Sequence, residues 1–295
     1  MTATFPLIPR RRVLGLAFGG LHSIRRGHGS DVAASRPYHP GDAMRKIDWA
    51  ASARLSLARG SDEFIVREHF AEEAPRVVVL SDRRPSMALF GEEWPWLHKP
   101  AAIRQAVRLI GDSATAARGL LGYYDEGEPA TPYWHPPRSE GEIGRLDFDR
   151  PFGAPEDTVA SGLRHLIEQR RDLPAGTFVF VLSDFLVGPT RDDWLWALER
   201  RWEIVPVVIQ DPVWEQSFPD VGGLVVPFAP AGLVRLSEGE VARRRQANEE
   251  RHETLLRDLH ALGLDPVLLS SHEPRDVLYS FLSWADQRLF TRGRA

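Results

Sequence analysis

The chain has 295 residues, more than a single hydrophobic core usually holds, so one large domain or two modest domains are expected. Its 37 basic and 41 acidic residues give a formal net charge of −4, which supplies no overall positive field for nucleic acid. The absence of cysteine excludes disulfides, thiolate catalysis and cysteine-ligated zinc sites.

The start of the chain is basic and contains one short apolar run, residues 13–20. A basic start followed by an apolar run can indicate a targeting peptide. This run is short, however, and no small-residue cleavage signal follows it. No part of the sequence approaches the roughly 20 apolar residues that cross a bilayer. We therefore expect a cytoplasmic chain with no membrane span and a loosely ordered start.

The composition and the hydrophobic pattern of the sequence change near residue 74. Residues 1–74 are rich in arginine and glycine and show no long helical period. Within them, the alternation over residues 61–70 predicts a strand. From Arg76 onward, predicted strands alternate with predicted helices. We therefore predict a small β-rich segment over residues 1–74 and an α/β domain over residues 75–295.

The second part alternates strands and helices in chain order. Strands are predicted at residues 76–80, 119–124, 177–182, 203–209 and 265–269. Helices are predicted at residues 100–118, 157–170, 191–201, 241–262 and 274–289. Irregular structure is predicted at residues 126–155, with room for one short strand, and at residues 212–232.

This order of elements predicts a mainly parallel sheet with helices on both faces. In such sheets the ligand crevice lies at the carboxyl ends of the strands. Polar pairs follow three of the predicted strands: Ser81-Asp82, Ser183-Asp184 and Gln210-Asp211. We expect these pairs to mark the functional edge of the sheet.

A distinctive span, residues 36–54, reads RPYHPGDAMRKIDWAASAR. Its charges alternate in sign and can form a salt-bridge network, while its tryptophan offers a large apolar area as an anchor. Two interpretations remain open: a buckle between the N-terminal segment and the following domain, or a surface that binds a partner. Catalysis is disfavoured because no nucleophile and base are paired. The residues concerned are Arg36, Tyr38, Gly41, Asp42, Arg45, Asp48, Trp49 and Arg54.

The same span closely resembles the signature of the bacterial family called domain of unknown function 58. The resemblance covers about residues 15 to 290. It implies a von Willebrand factor A-like (Rossmann-type) α/β domain after the N-terminal β-rich segment. It also implies a chaperone-like accessory protein that acts with MoxR-type AAA+ ATPases in assembly or metal insertion.

Von Willebrand A domains often hold Mg²⁺ with an Asp-x-Ser-x-Ser loop, a threonine from a second loop and an aspartate from a third. Asp82 and Ser86 match the ends of that loop, Thr158 is a possible match for the threonine, and Asp184 matches the third-loop aspartate. Oxygen ligands of this kind suit Mg²⁺. Arg84 stands where the middle serine is expected, and a guanidinium has no acceptor and repels a cation.

Two arrangements of Arg84 remain open. If its side chain points inward, it can pair with Asp82 or Asp184 and take the electrostatic place of the metal, which leaves a degenerate site. If it points outward, a weak Mg²⁺ site remains. We expect no resident cofactor, with weak Mg²⁺ binding as the alternative.

The sequence contains no Walker A loop, no GxGxxG followed by an acid and no GxSxG nucleophile motif. The leading hypothesis is a non-enzymatic adaptor whose loop face at the strand ends binds a protein, with a MoxR-type ATPase as the partner implied by the resemblance. The alternative is a metal-dependent hydrolase using Asp82, Asp184 and a histidine, which lacks a convincing third ligand and base. Nucleic-acid binding by the basic start is disfavoured by the acidic net charge.

Overall fold

The structure of the protein is a computed structural model. It describes residues 3–10, 22–39, 42, 44, 47–60, 63–72, 74–88, 97–127, 131–137, 150–169, 171–219, 225–228 and 232–293. The strands are β1 (His22–Pro37), β2 (Ile65–Glu72), β3 (Arg76–Ser81), β4 (Leu120–Glu126), β5 (Pro132–His135), β6 (Phe178–Ser183), β7 (Glu203–Ile209), β8 (Val225–Phe228), β9 (Gly232–Arg235) and β10 (Val267–Leu269). The helices are α1 (Trp49–Arg59), α2 (Lys99–Ala116), α3 (Thr158–Glu168), α4 (Arg191–Glu199), α5 (Glu238–Ala261) and α6 (Pro274–Gly293).

Six strands form the central sheet, in the order β10-β7-β6-β3-β4-β5. Neighbouring strands are parallel except for the antiparallel pair β4 and β5. Successive strands run outward from β3 on one side and from β6 on the other, so the strand order reverses between β3 and β6. Such a reversal opens a crevice at the carboxyl ends of the two central strands. The predicted α/β fold with a mainly parallel sheet is confirmed.

Helices cover both faces of this sheet. Alternate side chains of a strand point to opposite faces. Val77 and Val79 accordingly join a buried cluster with α2 and α6, whereas Val78 and Leu80 join one with α3, α4 and α5. The central strands are therefore apolar on both sides, which explains why each reads as a continuous hydrophobic run.

The first residues of the chain pack into the α/β core. Phe5 is 3% exposed, and its ring centroid lies 4.7 Å from that of Phe281 and 5.9 Å from that of Trp284. Burying one such ring stabilises the fold by about 1.5–3 kcal/mol. The expected loosely ordered start is therefore wrong for residues 3–10. The domain boundary at residue 74 stays a prediction. Phe5, on the N-terminal side of that boundary, packs against residues of α6.

Strand β1 and two shorter elements were not located from the sequence. Helix α1 lies in a segment with no long helical period; Asp48 Oδ1 accepts a hydrogen bond from Ala51 N at its start, and Gly60 ends it with a φ of +67°. Strands β8 and β9 form an antiparallel hairpin, and β8 lies inside the predicted irregular stretch 212–232. The strand expected within residues 126–155 is β5. None of the described helices has the length and apolarity needed to cross a membrane.

Candidate functional site

Two aspartates meet at the reversal point of the sheet. Asp82 follows β3 and Asp184 follows β6, and both are fully buried. Asp82 N donates to Leu182 O at 2.8 Å, so the pairing of the two central strands continues one residue beyond β3. The sheet therefore brings together two carboxylates that are far apart in the sequence.

Arg84 occupies the space between these carboxylates. Its Nη2 lies 2.6 Å from Asp82 Oδ2 and 2.8 Å from Asp184 Oδ1, and its Nε lies 2.9 Å from Asp82 Oδ2. Burial disfavours its charge, but the hydrogen bonds and charges of the two aspartates outweigh burial and raise the pKa of Arg84. The inward arrangement is thus the one in the structure.

The turns after β3 and β6 hold the three charged groups in place. Arg84 N donates to Asp82 Oδ1 at 2.8 Å, which closes the first turn on itself. Ser183 Oγ donates to Asp82 Oδ2 at 2.7 Å and accepts from Phe185 N at 3.0 Å. Phe185 has a φ of +51°, a conformation that costs a non-glycine residue free energy and is stabilised here by these contacts.

Lys99 adds a second buried cation. Its Nζ lies 3.2 Å from Asp184 Oδ2 and 3.1 Å from Ser86 O, and it forms an ion pair with Glu215. Glu215 Oε2 accepts from Asp211 N at 2.8 Å. Burial raises the pKa of Glu215, although the Lys99 ammonium opposes the shift. Lys99 begins α2, where the helix dipole disfavours a cation, so its position is explained by the acids rather than by the helix.

The remaining predicted metal ligands do not join Asp82 and Asp184. Thr158 Oγ1 donates to Glu126 Oε2 at 3.1 Å. Ser86 contributes its carbonyl oxygen to Lys99, and its buried hydroxyl has no hydrogen-bond partner among the described residues. The described residues contain no group of three or more histidine, aspartate or glutamate side chains placed to hold a metal ion. The Mg²⁺ ligand set is therefore not assembled in this arrangement.

A second charged cluster lies beside the first. Arg83 Nε lies 3.2 Å from Asp125 Oδ2, and Arg150 forms an ion pair with the other oxygen of the same carboxylate. Arg83 Nη1 also donates to Arg150 O at 3.2 Å, and its guanidinium lies over the Phe152 ring. The consecutive residues Arg83 and Arg84 thus pair with acids from different strands. Arg83 pairs with an acid of β4, and Arg84 pairs with the acids that follow β3 and β6.

The loop after β7 also contributes residues to the site, and the sequence analysis predicted only some of them. Gln210 Nε2 donates to Asp184 O at 2.6 Å, and its Oε1 lies 2.7 Å from His252 Nδ1 on α5. Asn248 and Arg251, also on α5, donate to carbonyl oxygens of residues 214–217. The pair Gln210-Asp211 was recognised from its position after a strand. Lys99 had one available signal, since it is one of two lysines in an arginine-rich chain.

The described residues of the signature include one ion pair, between Arg36 and Asp42. Arg36 makes two hydrogen bonds of 2.7 Å to Asp42, which lower the pKa of Asp42 well below its usual range. Asp48 accepts a hydrogen bond at the start of α1, and Arg54 Nε donates to Ala50 O at 3.1 Å. Gly41 and Arg45 lie outside the described residues.

The tryptophan of the signature faces solvent. Trp49 is 59% exposed and makes an edge contact with Phe64 at a centroid distance of 5.9 Å. Tyr38 contacts the same phenylalanine at 6.4 Å. The prediction that Trp49 is a buried anchor is therefore wrong, because it rested on side-chain size and not on which face of α1 packs inward.

Fold and site together define an α/β protein with a buried ion-pair cluster at the crevice of a mainly parallel sheet. The chain belongs to the family described as Protein of unknown function DUF58, whose model matches residues 34–254. An uncharacterised protein of Mycobacterium tuberculosis is 27% identical over 240 residues, which are 79% of this chain and 71% of that protein. An uncharacterised protein of Mycobacterium bovis matches to the same extent.

Solved structures give a weaker likeness. An aerotolerance-related membrane protein from Bacteroides fragilis has a TM-score of 0.38 and 10% identity, over 63% of this chain and 99% of that chain. The conserved hypothetical protein BatB from Bacteroides thetaiotaomicron has a TM-score of 0.37 and 11% identity, over 75% of this chain and 100% of that chain.

Proposed function

We propose that this protein is a non-enzymatic adaptor that binds a protein partner, and that its α/β domain is von Willebrand factor A-like with a degenerate metal site. The observation that carries the proposal is the Arg84 guanidinium between the Asp82 and Asp184 carboxylates. A cation that belongs to the chain takes the electrostatic place that Mg²⁺ would take. Because an arginine side chain stays charged at every ordinary pH, this cation is permanently present.

Sheet topology supports the domain assignment. Counted from β3 as the first strand, the order is 3-2-1-4-5-6, which is the order of Rossmann-type sheets. Asp82 and Ser86 retain the ends of the Asp-x-Ser-x-Ser pattern directly after that first strand. Asp184 follows the fourth strand, on the other side of the reversal point.

The state of the two aspartates supports a role without catalysis. Asp82 accepts hydrogen bonds from Arg84 and Ser183, and Asp184 accepts them from Arg84, Lys99 and Leu186 N. Both side chains are fully buried. Hydrogen bonds and ion pairs thus occupy both carboxylates, which supports a structural role for them in preference to that of a general base.

We infer the partner from the family resemblance of residues 36–54: a MoxR-type AAA+ ATPase, with protein assembly or chaperoning as the process. A purified MoxR-type ATPase from the same genome, titrated against the full chain by interferometry in each nucleotide state, tests this. We expect saturable binding with a Kd in the micromolar range or tighter, typical of specific transient complexes. Absence of binding in all nucleotide states would overturn the proposed partnership.

Assays for phosphatase, peptidase and ATPase activity test the non-enzymatic role. We expect none above background with or without Mg²⁺. Asp82→Asn and the matched surface variant Asp258→Asn, on α5, serve as a pair. Activity that is lost in Asp82→Asn and kept in Asp258→Asn would establish the hydrolase instead.

A further inference from the structure

A small cavity lies at the amino-terminal edge of the central sheet, opposite the edge that carries Asp82, Arg84 and Asp184. Its wall includes Glu203, the first residue of β7. The cavity has a volume of about 50 Å³. Because one water needs about 10–15 Å³ of such space, there is room for a few waters or for one small oxyanion. Three arginines from distant parts of the chain line it: Arg10, Arg201 and Arg288.

Arg288, on α6, forms the buried side of the cavity and is 3% exposed. Its Nη1 donates to Ile8 O at 3.0 Å and to Glu203 Oε2 at 3.3 Å, and its guanidinium lies 4.5 Å from the centre of the Trp284 ring. Its Nε is buried and has no hydrogen-bond partner among the described residues. Asp265 Oδ2 lies 3.6 Å from this nitrogen, beyond hydrogen-bond distance. A buried donor without a partner costs free energy, which a bound acceptor would recover.

Arg10 and Arg201 bring two further guanidinium groups to the exposed side of the cavity. In the part of the chain that the structure describes, neither side chain forms a hydrogen bond or an ion pair. Arg10 packs against Gly263, where a Cβ atom would overlap its guanidinium. Arg201 has a φ of +58°, a backbone conformation that costs a non-glycine residue free energy. Both arginines are therefore placed at the cavity without an acid that explains their position.

The ionisable side chains that line the cavity are three arginines and one carboxylate, Glu203. Glu203 Oε2 is already engaged, because it accepts from Arg10 N at 2.8 Å as well as from Arg288. Asp265 lies outside the lining, and its side chain is 35% exposed, so solvent screens its charge. Burial and the charge of Arg10 lower the pKa of Arg288, although Glu203 and Asp265 oppose the shift. The acids thus compensate the arginines only in part.

Helix ends account for some of the remaining positive charge. Helix α4 ends at Glu199 and α5 ends at Ala261, both close in sequence to lining residues of the cavity. A helix C-terminus carries about half a negative charge, so two ends offset about one of the arginines. Three arginines exceed what one carboxylate and two helix ends balance. The surplus favours an anion in the cavity.

We propose that this cavity binds a small tetrahedral oxyanion, either free inorganic phosphate or the phosphoryl group of a phosphate monoester. Guanidinium groups bind such oxygens through paired, charge-assisted hydrogen bonds. Arg10, Arg201 and Arg288 come from three separate segments, and a tetrahedral anion has enough oxygens to accept from all three. A carboxylate, with two oxygens, matches a single guanidinium fork. This site lies away from the Arg84 cluster, so it is independent of the proposed adaptor function.

Thermal denaturation and calorimetric titration of the full chain with inorganic phosphate test the site. Phosphate should raise the Tm above that in sodium chloride of equal ionic strength, because it binds the folded state. Arg10→Gln and Arg201→Gln remove exposed side chains that have no ion pair, so both variants should fold. Each should weaken phosphate binding about tenfold or more, since each removes a charge-assisted contact.

The matched control is Arg200→Gln, which removes the neighbouring arginine at the same end of α4, outside the lining of the cavity. It should bind phosphate like the unmodified chain. If the arginines only balance the helix ends, Arg200→Gln and Arg201→Gln will change the Tm alike and phosphate will have no specific effect. That result would overturn the inference, and so would a rise in Tm that sodium chloride reproduces.

Glycerol 3-phosphate, titrated beside inorganic phosphate, distinguishes the two sources of the anion. Tighter binding of glycerol 3-phosphate would assign the cavity to the phosphoryl group of a larger ligand. Binding of inorganic phosphate alone would assign it to the free anion. Either result supports the site if it is lost in Arg10→Gln and Arg201→Gln. Failure of both compounds to bind the unmodified chain would overturn the proposal.

Discussion

The Arg84 guanidinium donates a hydrogen bond of 2.8 Å to the Asp184 carboxylate across 100 residues of sequence. This contact joins the loop after the first strand of the sheet to the loop after the fourth. Because Arg84 also binds Asp82 beside it, the two acids at the reversal point share one guanidinium, and Lys99 supplies a second positive charge to Asp184. If this arrangement replaces an external cation, as proposed above, two predictions follow for Mg²⁺ and for stability.

Replacing Arg84 with serine should uncover the Mg²⁺ ligands and destabilise the fold. Two buried carboxylates lose their main partner, a change that typically costs about 3–5 kcal/mol. Mg²⁺ should raise the Tm of Arg84→Ser and leave the Tm of the unmodified chain unchanged, because only the variant binds the ion in the folded state. Thermal denaturation and calorimetric titration with Mg²⁺ measure both effects.

The affinity of Arg84→Ser for Mg²⁺ should remain modest. Lys99 still contacts Asp184, and a unit charge at about 4 Å repels another by about 4 kcal/mol at an effective dielectric of about 20. Arg108→Ser, at an exposed position of α2, is the control and should show neither effect. Tight Mg²⁺ binding by the unmodified chain, or no response in Arg84→Ser, would contradict the degenerate site.

Removing the second cation should also be costly. Lys99→Met keeps the length of the side chain but leaves Asp184 and Glu215 without their buried ammonium, so we expect a loss of about 3–5 kcal/mol. Adding Glu215→Gln should recover part of this loss, because the double variant removes both partners of one ion pair. Chemical denaturation of the four proteins in this cycle measures the coupling. Strictly additive losses would show that the pair contributes no interaction of its own.

Two aromatic residues of the N-terminal part should contribute very different amounts to the free energy of unfolding. Phe5→Ala empties a buried site between Phe281 and Trp284 and should lower the free energy of unfolding by about 3–5 kcal/mol. Trp49→Ala removes a largely exposed ring and should cost below about 1 kcal/mol. Urea denaturation followed by circular dichroism compares the two. A larger loss for Trp49→Ala would restore the anchor interpretation of the signature.

The ion pair between Arg36 and Asp42, in the turn of the signature, should stabilise the fold in a way that depends on pH. Hydrogen bonds from Arg36 lower the pKa of Asp42, so the pair contributes stability at pH values above the ordinary pKa of an aspartate. That contribution is lost as the pH falls through the lowered pKa of Asp42. Carboxyl NMR shifts should show that the pKa of Asp42 is below its usual range in the unmodified chain and is raised in Arg36→Gln, where the hydrogen bond from His39 N remains. An unshifted titration of Asp42 beside an intact Arg36 would contradict the pairing.

Local patterns predicted most of the α/β domain but did not locate strand β1, helix α1 or the hairpin of β8 and β9. Strands β3, β6 and β7 are buried on both faces and read as continuous apolar runs, so their sequence alone marks them. Helix α1 and the hairpin of β8 and β9 are short, and the apolar residues of α1 are not confined to one side of the helix, so neither produces the periodicity that identifies an amphipathic element. Their formation depends on hydrogen bonds to neighbouring segments.

The sequence by itself determined that Asp82, Arg84 and Asp184 follow central strands of an α/β sheet, because parallel strands place their carboxyl ends at one edge. Only the tertiary structure decided that Arg84 turns inward, that Lys99 joins it and that Thr158 binds Glu126 instead. These outcomes depend on which buried charges lie within hydrogen-bond distance of one another. That distance is set by the packing of loops from separate parts of the chain, and no local pattern encodes it.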